Sequence, residues 1–260
     1  MGTRRVRAIT LALVASVCTV VGIGGMAGCD NAASRPRQPN YGGTVGPGGT
    51  ITGRVTARAP LPAVQPPHMG LDPTCFEISG ATPVNDELVV ATDGAVANTF
   101  VYIAAGLPAG AAADRPTTPV ILDQHGCRFA PHVLGVRAGQ PIEFVNSDPT
   151  EHDVHVEPGP NGEFNRLQPV QGMRESHVFT APDVMTLIRC DRHPWMTAYV
   201  GVMEHPFFAV TGNDGSFTLS GVPDGHYTVA MWHERFGRME TEAAIVNHHT
   251  AHTDFVIEAR

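Results

Sequence analysis

From Ile51 onward the chain is written in short runs that are apolar or alternate apolar with polar, and each run is cut by Gly, Pro or Asp-Gly. A period of two is the signature of a half-buried strand, and the punctuation marks turns. The pattern predicts strands at 50–57 (TITGRVTA), 87–91, 97–103, 118–123, 132–137, 141–146, 152–157, 176–180, 184–190, 197–203, 206–211, 215–220, 226–233 and 252–258. No amphipathic stretch is long enough to predict a helix. The 22 prolines and 28 glycines agree with strands and turns, so the expected fold class is all-β.

The first 49 residues do not belong to that pattern. Arg4, Arg5 and Arg7 precede an uncharged run from Ala8 to Gly28, the basic-then-apolar order of an export signal. The run ends Met26-Ala27-Gly28-Cys29, which resembles a bacterial lipobox. That resemblance implies a lipoprotein signal peptide at residues 1–28 and lipidation of Cys29. A plain transmembrane anchor is the other reading, but Gly22, Gly24 and Gly25 suit a cleavage region better than a stable span. Residues 29–49 are rich in Pro, Gly and polar groups and read as a flexible tether. The expected location is the periplasmic or cell-surface face of a bacterial membrane, with the chain anchored by lipid.

Charge narrows the choice of partners. All 17 basic residues are arginine, and the formal net charge is −8. Removing residues 1–28 takes away three arginines and no acid, so the remainder is more acidic still. Such a surface excludes the basic patch that nucleic acid requires and favours a cationic partner.

The cysteines divide by position. Cys18 lies in the signal and Cys29 at the lipid site, which leaves Cys75, Cys127 and Cys190. In an oxidising compartment a disulfide between Cys75 and Cys127 is expected, with Cys190 left over. The surroundings of Cys190 supply a reason for a free thiol. RCDRHPWMTAYVG, residues 189–201, sets Cys190, His193 and Met196 in C-x2-H-x2-M spacing. Type 1 copper takes a cysteine thiolate and two histidines in a plane, with a weak axial ligand that is usually methionine. A second histidine has to come from elsewhere, and 152–155 offers His152 and His155. Residues three apart on a strand point to opposite faces, so only one of these can face the metal.

Residues 129–203 then show an ordered set of features: Phe129-Ala130-Pro131, Val136-Arg137-Ala138-Gly139, Phe144-Val145-Asn146, the H-x-V-H of His152 to His155, and Phe179-Thr180-Ala181-Pro182 before the cysteine loop. In that order they resemble a cupredoxin, nearest the amicyanin group. The resemblance implies a Greek-key sandwich holding one type 1 copper with His152, Cys190 and His193 in the plane and Met196 axial. It also implies a single-electron carrier, not an enzyme, with a c-type cytochrome or periplasmic dehydrogenase as redox partner. His193 would conduct at an exposed edge, with Pro194 and Trp195 as an apolar docking patch. Two departures stand out. Asp153 occupies a position where the family usually has Asn, whose side chain pins the ligand loops together. Arg192 replaces a proline, which is expected to place an N–H near the sulfur and raise the redox potential.

Other chemistry is weaker. His68, His125 and His132 could join Cys75 and Cys127 in a second metal site, although a disulfide with surface histidines is the simpler expectation. His248, His249 and His252 read as solvent-facing, and Glu240 and Glu242 as a solvated strand face. No G-x-S-x-G, H-E-x-x-H or phosphate-cradling loop occurs. Copper storage or delivery, or a binding module without redox cycling, is the alternative function.

Residues 207–237 resemble a carboxypeptidase-regulatory-like β-sandwich through the hairpin Asp214-Gly215-Ser216-Phe217 and the turn from Pro223 to Tyr227. That family's opening strands have counterparts only far upstream, at Gly53-Arg54-Val55 and Val101-Tyr102-Ile103. The expected organisation is a discontinuous sandwich, residues 50–115 and 205–260, interrupted by a cupredoxin domain at 116–204. Two separate small β modules flanking the cupredoxin are the runner-up.

Overall fold

The computed structural model describes residues 46–59, 61–79, 85–111 and 114–258. The expected signal peptide, the lipidation site Cys29 and most of the tether lie outside the described residues. In chain order the strands are β1 (Gly49–Ala57), β2 (Phe100–Ala105), β3 (Val120–Gln124), β4 (Phe129–Ala130), β5 (Val133–Arg137), β6 (Pro141–Asn146), β7 (His152–Val156), β8 (Phe164–Gln168) and β9 (Arg174–Val178). They continue with β10 (Asp183–Arg189), β11 (Thr197–Met203), β12 (Phe208–Val210), β13 (Ser216–Val222), β14 (Gly225–His233), β15 (Gly237–Ile245), β16 (Thr250–His252) and β17 (Phe255–Ile257). Between β1 and β2 lie a 3-10 turn, Met69–Leu71, and one short helix, α1 (Pro73–Ser79). The fold is all-β, as the alternation predicts.

Four sheets result, with strand orders β4-β3-β6-β9, β5-β11-β10-β7-β8, β12-β2-β14-β15 and β13-β1-β16, the last also joined by β17 through β1. The alternation of side chains shows how they stack. Val120, Leu122, Ile142 and Phe144 of the first sheet share a core with Leu134, Val154, Ile188 and Val200 of the second. The opposite face of that second sheet, through Val133 and Met203, packs on Phe100, Tyr102, Phe208 and Ala230 of the third. The third sheet's other face, Val101, Ile103, Val229 and Met231, packs on Ile51, Val55, Phe217 and Leu219 of the fourth. Strands in the middle layers must therefore be apolar on both faces. β5 reads VLGVR and β2 reads FVYIAA, and every residue of β5 is buried. The outer β9 alternates exposed with partly buried, as a one-sided strand does.

β1 pairs antiparallel with β13, and β2 pairs antiparallel with both β12 and β14. Strands more than a hundred residues apart in sequence thus share sheets, and the two sheets containing β3 to β11 lie between them along the chain. Contact between the second and third sheets is close because glycine sits at the crossing. A Cβ on Gly135 would fall 2.4 Å from the Phe208 ring, and one on Gly201 would fall 2.4 Å from the Phe100 ring.

Several elements differ from expectation. Residues 87–91 form only an isolated bridge, Val90 with Val96. The run 252–258 divides into β16 and β17, both parallel to β1. α1, β4, β8 and β15 are additions. β8 and β15 are edge strands whose outer faces carry polar residues, so their apolar signal is thin. Among the described residues no helix is long and apolar enough to cross a membrane.

Two expected outcomes follow from this packing. Gly201→Val should cost about 1–3 kcal/mol by overpacking against Phe100, measured as a lower urea midpoint; a midpoint equal to wild type would rule out the close crossing. The second concerns His205 and His233, both held down from 6.5 to about 4, burial being the first cause in each. Each stays neutral in the fold while its unfolded counterpart takes a proton below 6.5. Their contribution is full above 6.5 and is lost as pH falls towards 4. Urea titrations across that window should show falling stability, and His205→Gln should flatten the fall.

Candidate metal centre

The hairpin between β10 and β11 closes with the loop 190–196. Its backbone is fixed by Cys190 N–H to Met196 O at 3.1 Å and Met196 N–H to His193 O at 2.8 Å. β7 lies beside β10 with His155 opposite Arg189 and Val156 opposite Ile188, which carries His152 to the level of the loop. His152, Cys190, His193 and Met196 are all buried, at 0 %, 1 %, 3 % and 1 % exposure.

Ligand atoms of His152, Cys190 and His193 lie within 4.8 Å of one another. His152 Nδ1 and His193 Nδ1 are 2.9 Å apart, and Cys190 Sγ is 3.6 Å from His193 Nδ1. Metal–nitrogen bonds of about 2 Å and a metal–sulfur bond of about 2.3 Å at trigonal angles give N···N and S···N separations of about 3.4–3.7 Å. The residues present fit a three-coordinate soft metal with little adjustment. Met196 belongs to the same loop and the same buried cluster.

The far side of each ring explains why the Nδ1 atoms converge. His152 Nε2 is 3.0 Å from Asp148 Oδ2, and His193 Nε2 is 3.0 Å from Asp72 Oδ2. A carboxylate accepts the Nε2–H hydrogen bond and so favours the tautomer with its lone pair on Nδ1. Two such lone pairs facing each other at 2.9 Å repel unless a proton or a metal ion lies between them. Asp148 is fixed by the N–H groups of Gly126 and Cys127 at 2.7 and 2.8 Å. Burial pushes its carboxyl up, but His152 and those two N–H groups outweigh burial and hold it below the usual carboxylate range. Asp72 caps α1, its Oδ1 accepting the Cys75 N–H at 3.0 Å. That bond first, with His193 next among the lowering causes, holds its carboxyl low. A disulfide joins Cys75 to Cys127 across 52 residues, so the two carboxylate-bearing segments are tied together.

Asp153 occupies the gap between β7 and the loop. It accepts the N–H of Asp191 at 3.1 Å and of Arg192 at 3.2 Å, and lies 3.2 Å from Cys190 Sγ. Acceptor atoms alone therefore join the two ligand loops. The expected N–H of Arg192 near the sulfur is instead spent on Asp153, and the guanidinium meets Glu151. The N–H groups near the sulfur are those of Asp153, at 3.5 Å, and of His193. The expectation of a raised potential loses its basis. Burial, with the Asp153 charge adding to it, pushes the free Cys190 thiol up to about 12, so a bound cation is what would keep it ionised.

The exposed edge expected for His193 is not there. Asp72 bonds its Nε2, and His193, Asp72, Glu151, Arg192 and Pro194 all line a depression of about 180 Å³. Pro194 is exposed, whereas Trp195 is half-buried with its indole N–H on Cys127 O at 3.1 Å and its ring centroid 5.1 Å from that of His193. His155 points away from the cluster, its two nitrogens meeting Asp191 at 2.8 Å and Glu163 at 3.1 Å. His132 meets Glu234 and Thr197 O, and the Cys75 and Cys127 sulfurs are bonded to each other, so the alternative second metal site does not assemble. Asp72 and Asp148 are the residues that sequence reasoning missed. Asp72-Pro73 does carry a helix-start signal, an N-cap followed by proline at the first helical position.

No protein-family model matches the chain, and no curated protein does. Among solved structures the chain is similar to the Cu-containing nitrite reductase from Thermus scotoductus SA-01, at 31% identity and TM-score 0.32, covering 39% of this chain and 26% of that one. A Cu(I) point mutant of amicyanin matches at 22% identity and TM-score 0.30, covering 40% of this chain and 98% of that one. A purple cupredoxin from Nitrosopumilus maritimus matches at 21% identity and TM-score 0.28, covering 35% of this chain and 100% of that one. The chain thus spans about a quarter of the nitrite reductase and nearly all of the two smaller proteins.

Replacing both Cys75 and Cys127 by serine should cost about 4 kcal/mol in the chain-entropy account of a loop this long. Urea unfolding measures the loss, and non-reducing peptide mapping should find the linked pair in the wild type. Two free thiols there would refute the link.

Proposed function

We propose that the chain is an exported blue-copper protein that carries single electrons between redox partners and turns over no substrate. The observation that carries this reading is the convergence of two imidazole lone pairs and one thiol sulfur, every one buried, with each imidazole backed by a carboxylate. Bound there, one type 1 copper would supply one-electron cycling between Cu(I) and Cu(II). The chain's own contribution is rigidity. The sandwich core fixes β7 and thus His152, the hairpin bonds fix the cysteine loop, and Asp148 and Asp72 fix the rings. A site so held changes little between oxidation states, and its burial excludes water and substrate.

Met196 is the proposed axial ligand. Pro194 and Trp195 are the proposed docking contacts, beside a cleft of about 380 Å³ that Met196, Tyr199 and Glu234 also line. By analogy with amicyanin-like proteins the partner is a c-type cytochrome or a periplasmic dehydrogenase. Lipid on Cys29 would hold the protein at a bacterial membrane, with residues 29–49 as tether. We read residues 116–204 as the copper domain, inserted in a carboxypeptidase-regulatory-like sandwich made of 50–115 and 205–260. The pairing of β1 and β2 with β13 and β14 supports that reading. Copper storage or delivery is the second reading, favoured by the covering of His193 by Asp72.

The copper-loaded protein should show an intense thiolate-to-copper visible band and exchange electrons reversibly with a c-type cytochrome without losing metal. Cys190→Ala should abolish the band, and His155→Ala should leave it. A band that survives His152→Ala but not His155→Ala would refute the ligand set. Loss of copper on reduction would favour storage, and substrate turnover at an open copper position would refute the carrier.

A further inference from the structure

Asp72 lies 80 residues before His152 in a sequence whose other ligands all fall within 152–196. It is nevertheless bonded to a ring of the centre, at 3.0 Å from His193 Nε2. Nothing in its placement is loose. Met69, three residues earlier, is 2 % exposed in the core of the copper sandwich, and Cys75, three residues later, is fully buried in the same core and disulfide-bonded to Cys127. The Asp72 N–H donates to Met69 O at 3.1 Å, and its Oδ1 caps α1. One carboxylate oxygen is therefore used to hold the segment's own fold, and the other is left to meet His193. Because the disulfide is itself buried, the segment is stapled in place and is not a flap open to a reductant.

We propose that Asp72 is a positioning residue for the copper ligand His193, supplied from the stapled segment, which fixes the ring with Nδ1 towards the metal, lowers the copper potential and closes the His193 edge to solvent. This deepens the copper reading and rests on it. The chemistry is that of a carboxylate–histidine–metal chain. Accepting the Nε2–H hydrogen bond makes the imidazole a stronger donor, and the added negative charge favours Cu(II) over Cu(I). Asp148 does the same for His152 from the other arm of the disulfide. The two histidines are thus held by matched carboxylates whose segments are linked by one covalent bond.

Two measurements on the full chain separate this proposal from the copper reading itself. The first uses metal-free protein and diethyl pyrocarbonate, with mass mapping of the modified histidines. His193 should react slowly in the wild type and about tenfold faster or more in Asp72→Ala, as the loss of a charge-assisted hydrogen bond and its cover implies. The second uses copper-loaded protein. Asp72→Asn keeps the shape and removes the charge, so the visible band should remain while the potential rises. Asp72→Glu should bring the potential back towards wild type. Asp93→Asn, which removes an exposed carboxylate bonded to Arg54 away from the centre, should leave it unchanged. An unchanged potential in Asp72→Asn overturns the proposal, and so does equal labelling of His193 in wild type and Asp72→Ala. Should Asp72→Ala fail to fold, Asp72→Asn alone decides through the potential. Absence of any thiolate-to-copper band in the wild type would refute the copper reading, while the metal-free labelling would still report whether Asp72 holds His193.

Discussion

One close approach organises this protein: Nδ1 of His152 and Nδ1 of His193 lie 2.9 Å apart and out of contact with water. Left to themselves the rings would flip or swing out, because either ring nitrogen can carry the proton. Asp148 and Asp72 remove that freedom by accepting hydrogen bonds from the Nε2–H groups. Each carboxylate needs its own support in a buried setting, and each has it. Asp148 receives two backbone N–H groups from the turn at Gly126 and Cys127, and Asp72 receives the first turn of α1. The disulfide links those two supports. The cation-binding geometry is therefore not a property of the ligand loop alone but of a ring of contacts closed through residues 72, 75, 127 and 148.

The stack of four sheets makes this ring possible. The segment carrying Asp72 leaves β1 in the fourth sheet and must reach the first two sheets before the chain returns to β2 in the third. Close packing across Phe100, Phe208, Gly135 and Gly201 holds the second and third sheets together. Two of the middle layers bury both faces, which is why their strands are continuously apolar and why the contact tolerates no side chain at the two glycines. Asp72 therefore reaches His193 from a segment that lies between strands of two other sheets in the chain.

The sequence makes the strands of the inner layers and the ligand loop legible, because each is a local pattern. Residues 141–146 and 197–203 match β6 and β11 to the residue, and C-x2-H-x2-M lies wholly within one hairpin. What it hides is of another kind. β15 is nine residues long, yet its outer positions are Arg238, Glu240 and Glu242, and alternation between charge and small apolar residues gives little contrast. α1 has only seven residues and two exposed apolar ones, Phe76 and Ile78, so periodicity cannot show it. Asp72 and Asp148 are single aspartates with no motif around the histidines they serve. Their roles come from contacts between distant parts of the chain, and only a helix-start signal at Asp72-Pro73 hinted that this aspartate is held in place. The exposed His193 edge was expected from a resemblance that covers only residues 129–203, and the segment that covers the ring lies outside it.

Asp153 completes the electrostatic picture. With Asp72 and Asp148 it makes three carboxylates in contact with the three principal ligand residues: one on each imidazole and one beside the sulfur. The guanidinium of Arg192 is drawn to Glu151 at 3.1 Å and is half exposed, so water screens it. A metal ion held there would be favoured in the more positive of two charge states. Each carboxylate also accepts backbone N–H groups, and these help to hold Asp72 and Asp148 below the usual carboxylate range without an arginine. An aspartate at position 153 therefore fits its surroundings. The amide N–H groups that it needs are all supplied by the loop, no donor is required of its own side chain, and the charge that it adds is of the sign the other two carboxylates already establish.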